Sequence, residues 1–314
     1  MSSVVEPLVA RGLLKRYGSL VAVDHVDLNV TTGDVFGYLG PNGAGKTTSL
    51  RMLLGLIRPS AGSIEIFGRD PLRVGVRALD GVAGFVEEPK FYPYLSGRRN
   101  LRLLADYDEP RTRARVEEVL ELVELADRGD DRVGGYSHGM RQRLGIAASL
   151  LRSPRLLLLD EPTTGLDPAG MRDMRELVRR LAADGITVLL SSHLLTEVEE
   201  LCNRVAIIRK GRIVYEGSLA ELKQASGQTW RLRATDPVRA RTIALEHGVR
   251  DLAAANGEIS FAADSELVAA LTVSLGQARV GITRLVEQSA TLEELFLELT
   301  EPGERGAQVE VAAA

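Results

Sequence analysis

The sequence predicts an α/β fold followed by a small α+β domain. Two observations carry this prediction. Strand and helix patterns alternate over the first 223 residues, and the apolar strand Arg155–Leu159 lacks the polar alternation of a strand with one face in solvent. After a polar stretch at Gln224–Gln228 the alternation restarts with strands and helices of its own. We therefore expect domains over residues 1–223 and 224–301, and a flexible tail over 302–314.

The elements of the first domain follow from their apolar periods. Helical spacing dominates between Leu95 and Leu151, which predicts a helical subdomain at about residues 90–150. Further helices are predicted at Lys46–Leu54 and Pro168–Ala183. Strands are predicted at Leu8–Leu14, Leu20–Val30, Asp34–Leu39, Val82–Val86, Arg155–Leu159, Ile186–Ser191, Val205–Ile208 and Ile213–Tyr215, the last two as a hairpin across Lys210-Gly211.

The second domain has the order βαββαβ with one more helix at its end, which predicts a ferredoxin-like arrangement. Its strands are predicted at Trp230–Ala234, more weakly at Val249–Ala253, and at Glu258–Ala262 and Ile282–Val286. Its helices are predicted at Pro237–Glu246, Glu266–Leu275 and Leu292–Leu299.

Composition excludes several classes of function. The chain has 314 residues, 45% of them hydrophobic, and a net charge of −4, so it lacks the basic footprint of a nucleic-acid-binding protein. Its one cysteine, Cys202, cannot form an intramolecular disulfide, and we expect it to be a buried apolar residue. The N-terminal segment carries Glu6 and predicts no secretory signal, and no apolar run reaches the ~18–20 residues that span a bilayer. A location on the cytoplasmic side is expected.

A glycine-rich segment between a predicted strand and a predicted helix is the strongest local motif. It is Gly40-Pro41-Asn42-Gly43-Ala44-Gly45-Lys46-Thr47, with Thr48 next to it. Glycines let backbone N–H groups turn toward a polyphosphate, and the following helix start favours an anion. Lys46 supplies positive charge for the β- and γ-phosphates, Thr47 a hydroxyl for Mg²⁺, and Thr48 a hydroxyl for the α-phosphate. The alternative, a ligand-free turn, is disfavoured by this strand-to-helix position.

Two acidic residues, Asp160 and Glu161, directly follow the apolar strand Arg155–Leu159 in the sequence. Asp160, beside a phosphate loop, can hold Mg²⁺ directly or through water. Glu161 is placed to orient and deprotonate an attacking water. The alternative is an acidic strand end without a functional role. The phosphate loop upstream in the sequence favours a functional pair. The two motifs predict a nucleoside triphosphatase without saying which one.

A serine-capped helix start precedes the acidic pair. The segment Tyr136-Ser137-His138-Gly139-Met140-Arg141-Gln142 resembles the signature motif of ABC ATPases, usually Leu-Ser-Gly-Gly-Gln. It departs from that motif with Tyr for Leu, His for the first Gly and Met for Gln, and it keeps Ser137 and Gly139. Ser137 alone predicts only an N-cap. A serine-capped helix start also suits a γ-phosphate, so the two interpretations coexist.

Three further residues match the same family. Asp167 resembles the aspartate of the family's D-loop, although Asp before Pro168 also predicts an N-cap. His193 matches the switch histidine that contacts the γ-phosphate. Tyr17 matches the aromatic residue that stacks on adenine, whereas by itself a tyrosine here favours a core position. We interpret the other histidines, His25, His138 and His247, as structural or solvated.

The elements follow the family's order over about residues 7–223. The resemblance implies a P-loop NTPase with a RecA-like core, an antiparallel β-subdomain and a helical subdomain. It implies ATP and Mg²⁺ as cofactors and catalytic roles for Lys46, Glu161 and His193. It also implies a head-to-tail dimer in which Ser137 of one subunit completes the site of the other. With one phosphate loop and one signature, the chain needs a second copy or a paralogous ATPase.

One departure follows the strand at Val82–Val86, where the family usually has glutamine and this sequence has Glu87. Such a glutamate, and the segment 91–97 after it, resemble exporters of the bacitracin- and lantibiotic-immunity type. Ser289–Leu297 resembles the tail of ATPases that serve daunorubicin-resistance-like exporters. Two roles stay open for Glu87: a ligand of Mg²⁺ that makes the site depend steeply on the metal, or a residue that only couples the site to a permease.

The resemblance implies an ATPase that powers a separate transmembrane permease at the cytoplasmic face of a bacterial membrane, without nucleic acid. Export of a drug, antibiotic, peptide or lipid-like substrate is favoured. A soluble ABC ATPase acting on ribosomes or DNA is the alternative, but the interval between Lys46 and Ser137 leaves no room for a second cassette or a coiled-coil insertion. Intact Lys46, Asp160, Glu161 and His193 disfavour a non-catalytic ATP sensor. An importer ATPase stays open, and the substrate pocket belongs to the permease.

Overall fold

Two compact units make up the chain, divided after Gly217. The structure, a computed structural model, describes residues 5–107, 110–225, 228–255, 258–289 and 295–296. The division falls before the 223/224 boundary expected from the sequence, and the expected linker is shorter, since Ala225 ends a helix and Gln228 begins a strand. Most of the predicted helix Leu292–Leu299 and all of the predicted tail lie outside the described residues.

The strands of the first unit form two sheets. They are β1 (Leu8–Tyr17), β2 (Leu20–Val30), β3 (Val35–Leu39), β4 (Ala61–Ile66), β5 (Val82–Phe85), β6 (Leu156–Asp160), β7 (Thr187–Ser192), β8 (Arg204–Arg209) and β9 (Arg212–Ser218). The larger sheet has the order β5-β6-β7-β3-β8-β9 and the smaller one the order β2-β1-β4. β1 is antiparallel to both neighbours, which gives the predicted antiparallel β-subdomain.

Parallel pairing in the larger sheet brings strand ends with chemistry to one edge. β5, β6, β7, β3 and β8 are parallel, with Asp160 opposite Ser191 and Leu39 opposite Ser192. Every residue of β6 is buried, as its uninterrupted apolar sequence predicts. The loops after β3, β5, β6 and β7 therefore leave the sheet at the same edge, where α/β folds bind ligands.

The helices of the first unit are α1 (Lys46–Leu53), α2 (Pro71–Val74), α3 (Gly97–Ala105), α4 (Pro110–Ala114), α5 (Val116–Leu122), α6 (His138–Leu150), α7 (Pro168–Ala183) and α8 (Leu195–Leu201). Helices α3 to α6 form the predicted helical subdomain. Both predicted N-caps are present: the Ser137 side chain accepts from the Met140 N–H at the start of α6, and Asp167 accepts from the Gly170 N–H at the start of α7. These caps fix where the two helices begin.

One core connects the two sheets of the first unit. Leu8, Phe36, Leu50, Ile64 and Leu158, from both sheets and α1, belong to a single cluster of buried side chains. Cys202 is buried with a free thiol, as expected. Within the described ranges, no helix has both the length and the apolar character to cross a bilayer.

The second unit is an antiparallel sheet with two longer helices. It contains α9 (Leu219–Ala225), β10 (Gln228–Ala234), α10 (Pro237–Glu246), β11 (Arg250–Ala255), β12 (Glu258–Ala262), α11 (Ser265–Gln277) and β13 (Ile282–Ser289). The strand order is β11-β12-β10-β13, and each neighbouring pair is antiparallel. This is the predicted ferredoxin-like arrangement. Its core includes Leu232, Phe261 and Leu271.

Candidate active site

The phosphate loop between β3 and α1 depends on glycine backbone geometry. Gly45, the residue before α1, has φ 111°, in the left-handed region that favours glycine. A Cβ at Gly45 would lie 2.5 Å from the carbonyl oxygen of Ala22, which is too close for any side chain. The loop therefore lies directly against β2, and α1 begins at Lys46 with its backbone N–H groups at the edge of the sheet.

Lys46 is a nearly buried cation at this helix start, with 5% of its side chain exposed. Its Nζ donates to the carbonyl oxygens of Gly40, at 2.7 Å, and Pro41, at 3.3 Å. It also lies 3.3 Å from Oε1 of Glu161. The predicted cation of the phosphate loop and the predicted general base thus form an ion pair, and both border the same cavity.

Asp160 ends β6 and is buried. Its Oδ1 accepts a hydrogen bond of 2.5 Å from the hydroxyl of Ser191 at the end of β7. The same hydroxyl accepts from the backbone N–H of Glu161 at 3.0 Å. Ser191 therefore orients both acidic residues at once. Ser191 was not among the predicted site residues, although its place at the end of a strand parallel to β6 is a signal that indicates it.

Glu161 occupies a strained backbone position with φ 46°. A non-glycine residue in this region persists only where its surroundings hold it, and such residues cluster at functional sites. Three side chains hold the carboxylate: Oε2 accepts from the Thr164 hydroxyl at 2.8 Å and lies 2.9 Å from Nδ1 of His193, and Oε1 faces Lys46. The predicted catalytic residues Lys46, Glu161 and His193 are therefore in direct contact.

The surroundings of Glu161 keep its carboxyl group ionised. Burial by itself would raise its pKa, but the Thr164 hydrogen bond and the positive charges of Lys46 and His193 together outweigh burial. The net pKa of Glu161 lies below its ordinary value of 4.5. A carboxylate that is ionised at neutral pH can accept a proton from water.

A cavity of about 510 Å³ lies over the phosphate loop, within the size range of ligand pockets. Tyr17 lies at its rim with 46% of its surface exposed, so the core position that its residue type alone favours is wrong. Lys15 approaches the Tyr17 ring, 5.1 Å from the centroid. The site residues that line the cavity are Tyr17, Asn42, Gly43, Gly45, Lys46, Thr47, Thr48 and Glu161. Of the other loop residues, Gly40 and Pro41 bind Lys46, and Ala44 is buried.

A second cavity of about 450 Å³ collects the signature and D-loop residues. Ser137, Gly139 and Asp167 line it. None of its lining residues also lines the cavity over the phosphate loop. Within one chain, the two halves expected of a nucleotide site therefore line different cavities.

Glu87 lies in the loop after β5, and its side chain is 63% exposed. Its Oε1 lies 2.5 Å from a guanidinium nitrogen of Arg51 on α1. The expectation of an unbalanced third carboxylate beside Asp160 and Glu161 therefore lacks its electrostatic basis, because Arg51 already supplies a cation. The alternative role for Glu87, in coupling, stays a prediction.

Metal-ligating groups are sparse at the site. Among the residues that the structure describes, no three His, Cys, Asp or Glu side chains come together as a metal site. Mg²⁺ does not require such a cluster, since it usually keeps several waters and binds through one or two carboxylates plus substrate phosphates. The Asp160 carboxylate at the sheet edge and the Thr47 hydroxyl at the start of α1 fit a metal held in this way.

Comparison with known proteins gives a consistent family. Residues 23–164 match the family model described as ABC transporter. The chain is 42% identical over 248 residues to a bacitracin transport ATP-binding protein of Bacillus licheniformis, covering 79% of this chain and 80% of that protein. It is 39% identical over 309 residues to a daunorubicin resistance ATP-binding protein of Streptomyces coeruleorubidus, covering 92% and 94%.

Solved structures of ATP-binding cassettes are similar to about two thirds or more of the chain. A structure of an ATP-binding subunit of an ABC transporter superimposes with a TM-score of 0.62 at 29% identity, covering 70% of this chain and 92% of that one. A nucleotide-free ATP-binding cassette from an ABC transporter gives a TM-score of 0.64 at 25% identity, covering 70% and 94%. The predicted P-loop NTPase fold is confirmed.

Proposed function

This chain belongs to the ATP-binding subunits of ABC transporters, and we propose that it hydrolyses ATP to power a separate exporter permease. The observation that carries the catalytic part of the proposal is the contact of Glu161 with both Lys46 and His193 beside the phosphate loop. Nucleotide binding alone would not require a strained carboxylate at this place.

Binding of ATP uses the phosphate loop and the start of α1. The backbone N–H groups of the loop and the helix dipole favour a polyphosphate, and Lys46 adds a full positive charge. Lys46 is held by Gly40, Pro41 and Glu161 in this structure. ATP offers its β- and γ-phosphate oxygens to the ammonium group, which releases Glu161 from its ion pair. Tyr17 at the rim provides an exposed aromatic face for adenine.

Asp160 and Thr47 are the residues that would hold Mg²⁺. Held there, Mg²⁺ would supply positive charge to the β- and γ-phosphates. Ser191 contributes by fixing Asp160 through the 2.5 Å hydrogen bond, so the carboxylate keeps one orientation at the sheet edge. His193 follows β7 at the same edge of the sheet, and we propose that it contacts the γ-phosphate.

Glu161 is the proposed general base. Once Lys46 binds phosphate, Oε1 of Glu161 is free to accept a proton from the attacking water, while the Thr164 hydroxyl and His193 hold Oε2. The low pKa of the carboxyl group keeps it in the base form across the neutral range. The proton that leaves the water is carried by the Glu161 carboxyl group.

Two subunits are proposed to close on ATP head to tail. The phosphate loop and the signature residues Ser137, Gly139 and Asp167 line different cavities of one chain. A second copy or a paralogous ATPase can bring its signature cavity over the first chain's phosphate loop, which completes both sites.

The permease is proposed to dock beside the helical subdomain. A cavity of about 540 Å³ there is lined by Lys90, Phe91, Tyr92, Tyr94, Leu95, Asn100, Leu103, Leu104 and Tyr107. Several of these are large exposed apolar or aromatic side chains, Tyr107 being 92% exposed, and such patches mark interaction sites. Glu87, a few residues earlier in the chain, is proposed to couple that surface to α1 through its ion pair with Arg51. We propose that the chain lies on the cytoplasmic face of a membrane, where it binds this permease.

Export is favoured over import by the relatives. The names of three relatives refer to bacitracin transport, daunorubicin resistance and Nod factor export. Bacitracin, daunorubicin and Nod factor are chemically different molecules. The substrate class of this system is therefore left to its permease, as a drug, antibiotic, peptide or lipid-like molecule. An importer ATPase, or a soluble ABC ATPase, is the alternative that identification of the partner permease would remove.

Replacement of Glu161 by glutamine tests the catalytic proposal. Glu161→Gln keeps the shape and the Thr164 contact but cannot take a proton at neutral pH, so hydrolysis should slow by roughly 10²–10⁴-fold while ATP still binds. Size-exclusion chromatography with MgATP should then show a persistent dimer. Glu176→Gln, at an exposed carboxylate on α7 paired with Arg179, is the matched control. Normal turnover by Glu161→Gln would contradict the assignment of the base.

A further inference from the structure

The imidazole of His138, on α6, contacts residues of two loops that lie outside α6. His138 is the first residue of α6 and stands where the signature motif usually has glycine. Its Nε2 lies 2.9 Å from the carbonyl oxygen of Thr164, in the loop between β6 and α7. Its Nδ1 lies 3.3 Å from Oε1 of Glu88, in the loop after β5. The expectation that His138 is only structural or solvated therefore misses two specific polar contacts.

Both partners of the ring are hydrogen-bond acceptors. The Thr164 carbonyl oxygen can only accept, and so can Glu88 when ionised. A hydrogen bond from Arg141 at 3.1 Å is the main cause that holds the pKa of Glu88 below its ordinary value, so the carboxylate is charged at neutral pH. A neutral imidazole has one N–H and can satisfy only one of the two acceptors. The protonated ring satisfies both.

Thr164, which His138 contacts, is in turn hydrogen-bonded to Glu161. The Thr164 hydroxyl donates to Oε2 of Glu161 at 2.8 Å, and the Thr164 N–H donates to the Glu161 carbonyl oxygen at 3.1 Å. The ring of His138 also packs against the next residue, where a Cβ at Gly165 would lie 3.2 Å from Nε2. The imidazole thus holds the peptide that carries the Thr164 side chain.

We infer that His138 is a positioning residue for ATP hydrolysis: it joins Glu88 to Thr164 and thereby fixes the orientation of Glu161. The inference rests on the proposed role of Glu161 as general base. His138 does not touch the reacting atoms of its own chain's site, and it acts through Thr164. Both ring nitrogens face acceptors. The ring therefore binds Glu88 and Thr164 together when it is protonated, and it loses one of these two hydrogen bonds when it is neutral.

The charged surroundings of His138 come from three segments. Gln142, one turn along α6, approaches Nε2 at 3.5 Å with its amide nitrogen, a donor that can bind this ring nitrogen only when the nitrogen carries no proton. The Thr164 carbonyl oxygen is closer to Nε2, at 2.9 Å. Glu88 lies at Nδ1 and is itself bound by Arg141. The charged groups that line the same cavity as the ring are Arg143, Asp167 and Asp173. Glu88 and the Thr164 carbonyl oxygen are therefore both bound only while the ring is protonated.

The pH profile of ATP hydrolysis tests the inference in the full-length chain. We compare kcat and KM for MgATP from about pH 5.5 to 8.5 in wild type, His138→Gln and His138→Asn. The ratio of wild-type to variant kcat should fall about two- to tenfold as pH rises, the equivalent of one net hydrogen bond, while the KM ratio stays constant. His193 is unchanged in every protein, so its contribution cancels in the ratio. Either amide variant suffices if the other does not fold.

Two controls separate positioning from a structural role. His25→Gln replaces an exposed imidazole of β2 and should reproduce the wild-type profile. Thr164→Val removes the hydroxyl that reaches Glu161 and keeps the carbonyl, so adding His138→Gln to it should produce no further pH-dependent change. A merely structural histidine would lower kcat equally at every pH.

The outcomes distinguish this inference from the proposed function. Parallel wild-type and His138→Gln profiles, with Glu161→Gln inactive, overturn the positioning role alone. Normal hydrolysis by Glu161→Gln overturns the catalytic role of Glu161 and this inference with it. A pH-dependent kcat ratio that Thr164→Val abolishes supports the path from His138 to Glu161.

Discussion

Replacement of Lys46 by methionine removes the cation of the phosphate loop while keeping its aliphatic stem. The ammonium group is almost fully buried, and its partners are the carbonyl oxygens of Gly40 and Pro41 and the carboxylate of Glu161. The change therefore has two consequences: bound polyphosphate loses its counter-charge, and Glu161 loses one of the two positive charges that lower its pKa.

The size of the binding effect follows from the contact distance. Two unit charges about 4 Å apart attract by about 4 kcal/mol near a protein surface, where the effective dielectric constant is about 20. Part of this is offset by the lost hydration of the ammonium group, so about 2–4 kcal/mol should be lost from ATP binding, or roughly 30- to 1000-fold in Kd. Hydrolysis should fall to background.

The pH dependence of stability changes in a defined direction. A carboxylate whose folded pKa is lowered stabilises the fold above its unfolded pKa, and this contribution is lost as pH falls through the folded pKa. In wild type that loss occurs below the ordinary value of 4.5. Lys46→Met raises the pKa of Glu161, so the loss of its contribution should begin at a higher pH.

Isothermal titration with MgATP, steady-state ATPase rates and thermal unfolding at several acidic pH values measure these effects. Lys210→Met is the matched control, because Lys210 lines the same cavity and the charge change is equal. It should weaken ATP binding by less than about 1 kcal/mol, as a partly screened charge does. Near wild-type turnover by Lys46→Met, or equal effects of the two variants, would refute the argument from Lys46's contacts.

Three further predictions concern other parts of the chain. Ser191→Ala leaves buried Asp160 without its hydroxyl donor, so unfolding free energy should fall by about 1–3 kcal/mol and more Mg²⁺ should be needed for half-maximal ATPase; an unchanged melting temperature and Mg²⁺ curve would contradict it. Glu87→Gln removes one charge of the exposed pair with Arg51, so ATPase curves against free Mg²⁺ should superimpose on wild type while permease-coupled rates change; a shifted Mg²⁺ curve would restore the metal role. A chain truncated after Ala225 should still bind ATP in equilibrium titration, and loss of binding by folded protein would show that the second unit belongs to the site.

The sequence predicts the larger sheet well because the signal there is local. β6 is apolar at four consecutive positions and lies between covered faces, so its composition alone indicates its place. β4 was not predicted, since Ala61-Gly62-Ser63 carries no apolar alternation. Its strand geometry comes from pairing with β1, where a Cβ at Gly62 would lie 2.4 Å from the Gly12 carbonyl oxygen. That close approach is a tertiary feature that no local period reports.

In the active site, too, the sequence predicts the residue types but not the side chains that contact them. Residue types in ordered motifs identify Lys46, Asp160 and Glu161, because phosphate binding and base catalysis need those side chains. Their partners are set by which strands are adjacent in the sheet. Ser191 is opposite Asp160 only because β6 and β7 are parallel neighbours in that register, and Arg51 meets Glu87 only because α1 passes the loop after β5.

His138 shows why a departure from a motif can carry more information than a match. As a lone histidine it supported only a structural or solvated role, because a single sequence does not say what its two ring nitrogens face. The structure supplies two acceptors, from loops 50 residues before and 26 residues after it in the chain. With glycine at this position, Glu88 would keep its contact with Arg141 but lose the one with the imidazole. The Thr164 carbonyl oxygen would lose the imidazole as a hydrogen-bond donor. A side chain that replaces glycine in a phosphate-facing motif is therefore best interpreted by the groups it joins.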